Sequence, residues 1–127
     1  MHLLAMVFLI GQTSLADSVK QTLVDYEQRL NAGDYAGLAQ YYAVDPRFYW
    51  VEHGAVATRA QVVQQLQQTP AGTHLEYAEP RVTIVDSGVA LLTTSYTVTM
   101  GTTTFSGLMT IVLIRTNAGW RFLAGHS

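Results

Sequence analysis

The chain has 127 residues, no cysteine, and a formal charge of −2 from seven basic and nine acidic side chains. That length fits one domain and not two cores, and 49% hydrophobic against 13% charged residues predicts a packed core rather than disorder. Lys and Arg are scattered singly, which excludes a basic face for nucleic acid, and the lack of Cys removes disulfide scaffolds, thiolate metal sites and cysteine nucleophiles.

Leu3–Ile10 (LLAMVFLI) is an unbroken apolar run, followed by Ser14-Leu15-Ala16 with small residues at the −3 and −1 positions of a cleavage site. This is the pattern of a secretory signal, with His2 as the only basic candidate ahead of the run. The run falls far short of the roughly 20 residues that span a bilayer, so no stable membrane span is expected. Residues 1–16 are read as a signal, giving a periplasmic or secreted domain over 17–127. The alternative is a helical extension that forms part of the fold of a cytoplasmic protein.

Asp17 can cap a helix with Val19, Leu23, Tyr26 and Leu30 on one face, ended by Asn31-Ala32-Gly33. Asp34 opens a second, short helix through Tyr42, closed before Pro46. Arg47–His53 (RFYWVEH), aromatic-rich and bounded by Pro46 and Gly54, predicts a strand. Thr58 and Gln61 form a capping box for a third helix, stopped by Thr69-Pro70-Ala71-Gly72. Strands are expected over 73–86, 88–100, 102–115 and 119–126, joined by Gly-containing turns into an antiparallel meander. Helices followed by a meander make an α+β fold with the helices on one sheet face. A curved sheet covered in this way leaves an apolar pocket between the layers.

This order of elements resembles the cone-shaped fold shared by nuclear transport factor 2, ketosteroid isomerase and the SnoaL-like polyketide cyclases. Leu30-Asn31-Ala32-Gly33-Asp34 joins the first two helices as it does in steroid isomerases. The ending Gly119-Trp120-Arg121-Phe122-Leu123-Ala124-Gly125-His126-Ser127 resembles the last strand of SnoaL-like proteins and of the calmodulin-dependent kinase association domain. The resemblance covers residues 17–127 and implies three helices on the concave face of the meander. It also implies Tyr26 at the position of the isomerases' oxyanion-hole tyrosine. Trp50 falls where their base, an aspartate, would be, with Glu52 two residues on and on the same strand face. Their second acid, on the penultimate strand, has no counterpart in Met109-Thr110-Ile111-Val112-Leu113, so steroid isomerisation itself is not expected. A homodimer through the sheet is expected, as in look-alikes. Residues 105–114 are apolar on both faces, with Phe105, Met109, Ile111 and Leu113 on one and Leu108, Val112 and Ile114 on the other.

Glu52 shares its strand face with Phe48 and Trp50, and an apolar surround makes a carboxylate a better base. His126 shares a face with Trp120, Phe122 and Ala124 and could transfer protons near neutral pH, or else be a hydrogen-bonded core residue. Parity therefore predicts Glu52, His126 and Tyr26 around one cavity walled by Phe48, Trp50, Trp120 and Phe122. Its ligand would be a small apolar or carbonyl-containing molecule. His53 is expected at a rim, and Tyr35, Tyr41 and Tyr42 as packing residues. His74 and Glu76 alternate on the next strand, but the four histidines lack ligand spacing. Ser87, Ser95 and Ser106 lack a nucleophile elbow, and no phosphate loop is present, so neither metal nor cofactor is expected. Two functions fit: an acid–base enzyme (isomerase, cyclase, dehydratase or epoxide-opening), or a non-catalytic small-molecule-binding or oligomerisation domain.

Overall fold

The computed structural model describes residues 14–127; the apolar run Leu3–Ile10 lies outside them. Helix α1 spans Leu15–Asn31 and is capped by Ser14, whose hydroxyl accepts from the Asp17 N–H at 3.0 Å. The cap thus lies three residues ahead of the expected Asp17, which instead sits in the first turn, where the helix dipole favours a carboxylate. Leu15 packs against the core. The buried stripe Val19, Leu23, Tyr26 and Leu30 follows the sequence periodicity.

The Leu30–Asp34 run works as a joint. Gly33 takes φ 81°, a left-handed turn that glycine adopts without strain. The Asn31 side-chain amide donates to the Leu75 carbonyl (2.9 Å) and accepts from the Leu75 N–H (2.7 Å), so it pairs with the sheet as a strand residue would. Asp34 Oδ1 accepts from the Gly37 N–H at 3.0 Å and opens a 3-10 helix, Ala36–Tyr41. Helix α2, Arg59–Gln67, carries the expected capping box of Thr58 and Gln61. Among the described residues no helix is long and apolar enough to cross a membrane.

Among the described residues, seven strands form one curved, open sheet: β1 Tyr49–Glu52, β2 Ala55–Ala57, β3 His74–Tyr77, β4 Arg81–Asp86, β5 Val89–Met100, β6 Thr103–Thr116 and β7 Gly119–His126. Their order is β2-β1-β7-β6-β5-β3, with β4 also paired to β5. β4, β5, β6 and β7 form the antiparallel meander, whereas β1 runs parallel to β7. The expected strand over 73–86 is two strands, both returning onto β5. It breaks at Glu79-Pro80, where proline has no N–H for the ladder. The strand around residue 50 turns back at His53 and Gly54, both at positive φ (50° and 76°), and continues as β2. The α+β cone is otherwise as expected, with the helices over the concave face and the core between the layers.

Candidate ligand cavity

A cavity of about 340 Å³ opens between the helices and the concave face. Helix α1 contributes Tyr26 and Leu30, and α2 contributes Val62 and Leu66. The sheet supplies Trp50, Glu52, Leu75, Tyr77, Tyr96 and Met109. Phe105, 43% exposed, and the turn residue His53 stand at the rim. Glu52 is half-buried and, among the described residues, is the one side-chain carboxylate on the wall; no Lys or Arg lines it. Its side chain makes no ion pair or hydrogen bond to a described residue, so the carboxyl group is free to meet a ligand.

The polar feature of the inner wall is a phenol pair. Tyr26 Oη and Tyr42 Oη lie 2.7 Å apart, and both side chains are buried. Two contacts hold Tyr42 in place. Arg59, the first residue of α2, donates from Nε to the Tyr42 carbonyl at 3.0 Å, and the Ala43 N–H donates to the Phe122 carbonyl at 2.8 Å. Both phenol rings rest on Phe122, with centroids 5.5 and 5.4 Å away. Burial pushes the Tyr26 hydroxyl up to about 12, the Tyr42 hydrogen bond opposes that shift, and the Glu52 charge adds to it. Burial also drives Tyr42 well above its ordinary value, followed by the charge and hydrogen bond of Tyr26. Tyr77 is raised as well, first by burial and then by Tyr26 and Glu27. Two phenols share one hydrogen bond, so the accepting phenol keeps a proton with no acceptor among the described residues. An oxygen in the cavity can take it.

The structure brings Glu52, Tyr26 and Trp50 together and places the other expected residues elsewhere. His126 is exposed on the convex face, opposite Val51 and Thr110. The cause is a β-bulge: Phe122 pairs with Leu113 and Ala124 with Val112, leaving Leu123 out of register. One extra residue reverses the facing of everything beyond it. Phe122 forms the core floor beneath the phenol pair and does not line the cavity. Phe48 stacks on Trp50 with centroids 6.5 Å apart, also away from the lining. Trp120 faces a separate polar groove between α1 and the β6–β7 turn, with Thr22, Tyr41 and Arg121. Tyr42, Tyr77 and Tyr96 are the hydroxyl-bearing wall residues that sequence reasoning missed, beside apolar ones such as Leu75 and Met109. Their strand and loop positions become meaningful only once the pairing is known. Among the described residues no cluster of three His, Asp or Glu is placed to hold a metal ion.

A family model described as SnoaL-like domain matches residues 19–127. No curated protein matches the chain. Among solved structures, an NTF-2 like protein of unknown function from Shewanella oneidensis superposes with a TM-score of 0.79 at 15% identity, covering 87% of this chain and 95% of that one. A proposed scytalone dehydratase from Novosphingobium aromaticivorans gives 0.73 at 15% identity over 86% and 79% of the two chains. A proposed dehydratase of the NTF2-like family from Streptomyces avermitilis gives 0.72 at 17% identity over 87% and 92%. At these identities the likeness establishes the fold, and the site rests on the residues described above.

Proposed function

We propose that this chain, which belongs to the SnoaL-like domain family over residues 19–127, binds a small neutral carbonyl compound in its cavity and moves a proton on it without a cofactor. One observation carries the reading: a carboxylate, Glu52, and a phenol pair, Tyr26–Tyr42, stand on the walls of a single apolar cavity. In this reading Glu52 takes a proton from the carbon beside the carbonyl, and the electron pair moves onto oxygen. Tyr26 donates to that oxygen while Tyr42 donates to Tyr26, so the developing charge is spread over two phenols. With its hydroxyl pushed up to about 12, Tyr26 remains a donor at neutral pH. Return of the proton to another carbon isomerises the compound, and departure of a neighbouring hydroxyl with a proton dehydrates it.

The test is a structure with β-tetralone, a neutral aryl ketone, bound. The carbonyl oxygen is expected within hydrogen-bond reach of Tyr26 and the acidic carbon beside Glu52. Tyr26→Phe should weaken binding about tenfold, the worth of one net hydrogen bond. A ketone bound elsewhere, or unaffected by that change, defeats the reading. The second reading, a non-catalytic binding domain, is favoured by His126, whose place on the convex face leaves Glu52 without the proton partner an acid–base pair would have. Dimerisation through the convex face belongs to both readings, because Leu108 (71% exposed) and Leu91 (38% exposed) lie there among uncharged Thr and Ser side chains.

A further inference from the structure

A glycine within a strand weakens it, because it has no side chain to pack. Gly107, in β6, is not among the residues with positive φ, so its backbone would accept alanine. What the glycine supplies is room. It pairs across the sheet with Tyr96, and a methyl group at 107 would stand 2.6 Å from Tyr96 Oη and 2.8 Å from its Cζ. The Tyr96 ring therefore lies down across the β6 backbone. Gly125 plays the same part beneath the Trp50 indole, its cross-strand partner on β1. Both rings line the cavity, so part of its wall consists of two aromatic faces laid flat on the sheet.

We propose that Gly107 is a specificity-determining residue: by letting Tyr96 lie flat on β6, it opens the cavity to a planar, uncharged ligand of more than one ring. The inference rests on the cavity being the ligand site, and not on the chemistry assigned to Glu52. Flat aromatic walls favour a flat partner by stacking. The charge preference follows from the wall, where an anion would meet Glu52 with no Lys or Arg to offset it. A side chain at 107 would lift Tyr96 off the sheet, and the space available to the ring is the cavity itself.

The experiment compares wild type with Gly107→Ala by crystallography and by binding of benzene, naphthalene and phenanthrene, followed by tryptophan fluorescence. These probes carry no carbonyl, so they report the shape of the cavity and not its acid–base groups. In Gly107→Ala the Tyr96 ring should stand out into a smaller cavity. Benzene should bind within about twofold of wild type, and naphthalene about tenfold or more weaker, as for a pocket that loses a methyl-sized volume. Adding Tyr96→Ala should restore naphthalene, and Tyr96→Ala alone should improve phenanthrene binding. That last variant decides the matter if Gly107→Ala fails to fold. A Tyr96 ring that turns to solvent, an equal loss for all three hydrocarbons, no gain for phenanthrene, or no hydrocarbon binding to wild type overturns the proposal. Size discrimination that holds while β-tetralone ignores Tyr26→Phe would retire the carbonyl reading and leave this one standing.

Discussion

Removing one hydroxyl from the Tyr26–Tyr42 pair should cost more than the hydroxyl's own bond is worth. The two oxygens are 2.7 Å apart, and Tyr26 and Tyr42 are only 5% and 6% exposed, so Tyr26→Phe leaves the other phenol buried without its partner. That penalty is about 1–3 kcal/mol, whereas removing both partners leaves nothing orphaned. The double variant Tyr26→Phe/Tyr42→Phe should therefore be about as stable as either single one, and a double-mutant cycle in urea should show a coupling of roughly 1 kcal/mol or more. The pH dependence gives a second reading of the same pair. The folded Tyr26 hydroxyl lies at about 12 against an ordinary 10.0, so folding favours the neutral phenol. This contribution, about 3 kcal/mol, is complete below pH 10 and disappears as pH rises through about 12. Tyr26→Phe should flatten that alkaline limb. Additive single-variant costs, or an unchanged alkaline limb, would refute the buried, coupled pair.

Three further outcomes are expected. Ser14→Ala should cost about 1 kcal/mol by thermal unfolding, the usual worth of a helix N-cap. A chain starting at Asp17, the product of cleavage after Ala16, should lose at least as much, because it also lacks Leu15; equal stability of the two forms would contradict the cap. Wild type should sediment as a dimer at micromolar concentration and Leu108→Glu as a folded monomer, and a monomeric wild type would remove the convex face as an interface. Arg47, through side chain and backbone, holds the Asp45 carboxyl down at about 2. Its stabilisation is present above the ordinary carboxylate range and is lost as pH falls toward 2. Asp45→Asn should therefore flatten the acid limb of melting temperature against pH, and an unchanged limb would count against the Arg47 contact.

Much of this architecture was legible because local chemistry and tertiary structure agree. The Thr58–Gln61 capping box, the Val19–Leu30 stripe and the Leu30–Asp34 joint are short-range patterns whose hydrogen bonds close within a few residues or through one side-chain amide. The misplacements arise where the sheet overrides local pattern. Parity alone puts His126 beside Glu52, and only the β6–β7 register reveals the bulge at Leu123 that turns it outward. The strand glycine Gly125 marks a close approach by Trp50 and not the bulge, so it gives no local warning of the reversal. Tyr42 reads as packing because its partner, Tyr26, lies 16 residues away on α1. Glu52 and Tyr26 could be placed because each shares a face with large apolar neighbours on its own element.

Carbon-bound hydrogen exchange tests the acid–base site most directly. β-Tetralone is incubated in heavy water with wild type, Glu52→Gln and Tyr26→Phe, and loss of the proton signal beside the carbonyl is followed by NMR. The Glu52 side chain makes no ion pair or hydrogen bond to a described residue, so Glu52→Gln should stay folded. Wild type should accelerate exchange, Tyr26→Phe should slow it by about 10²-fold or more, and Glu52→Gln should reduce it to the rate in buffer. Exchange that continues at the wild-type rate in Glu52→Gln, or that wild type never accelerates, would contradict the assignment of Glu52 as the base.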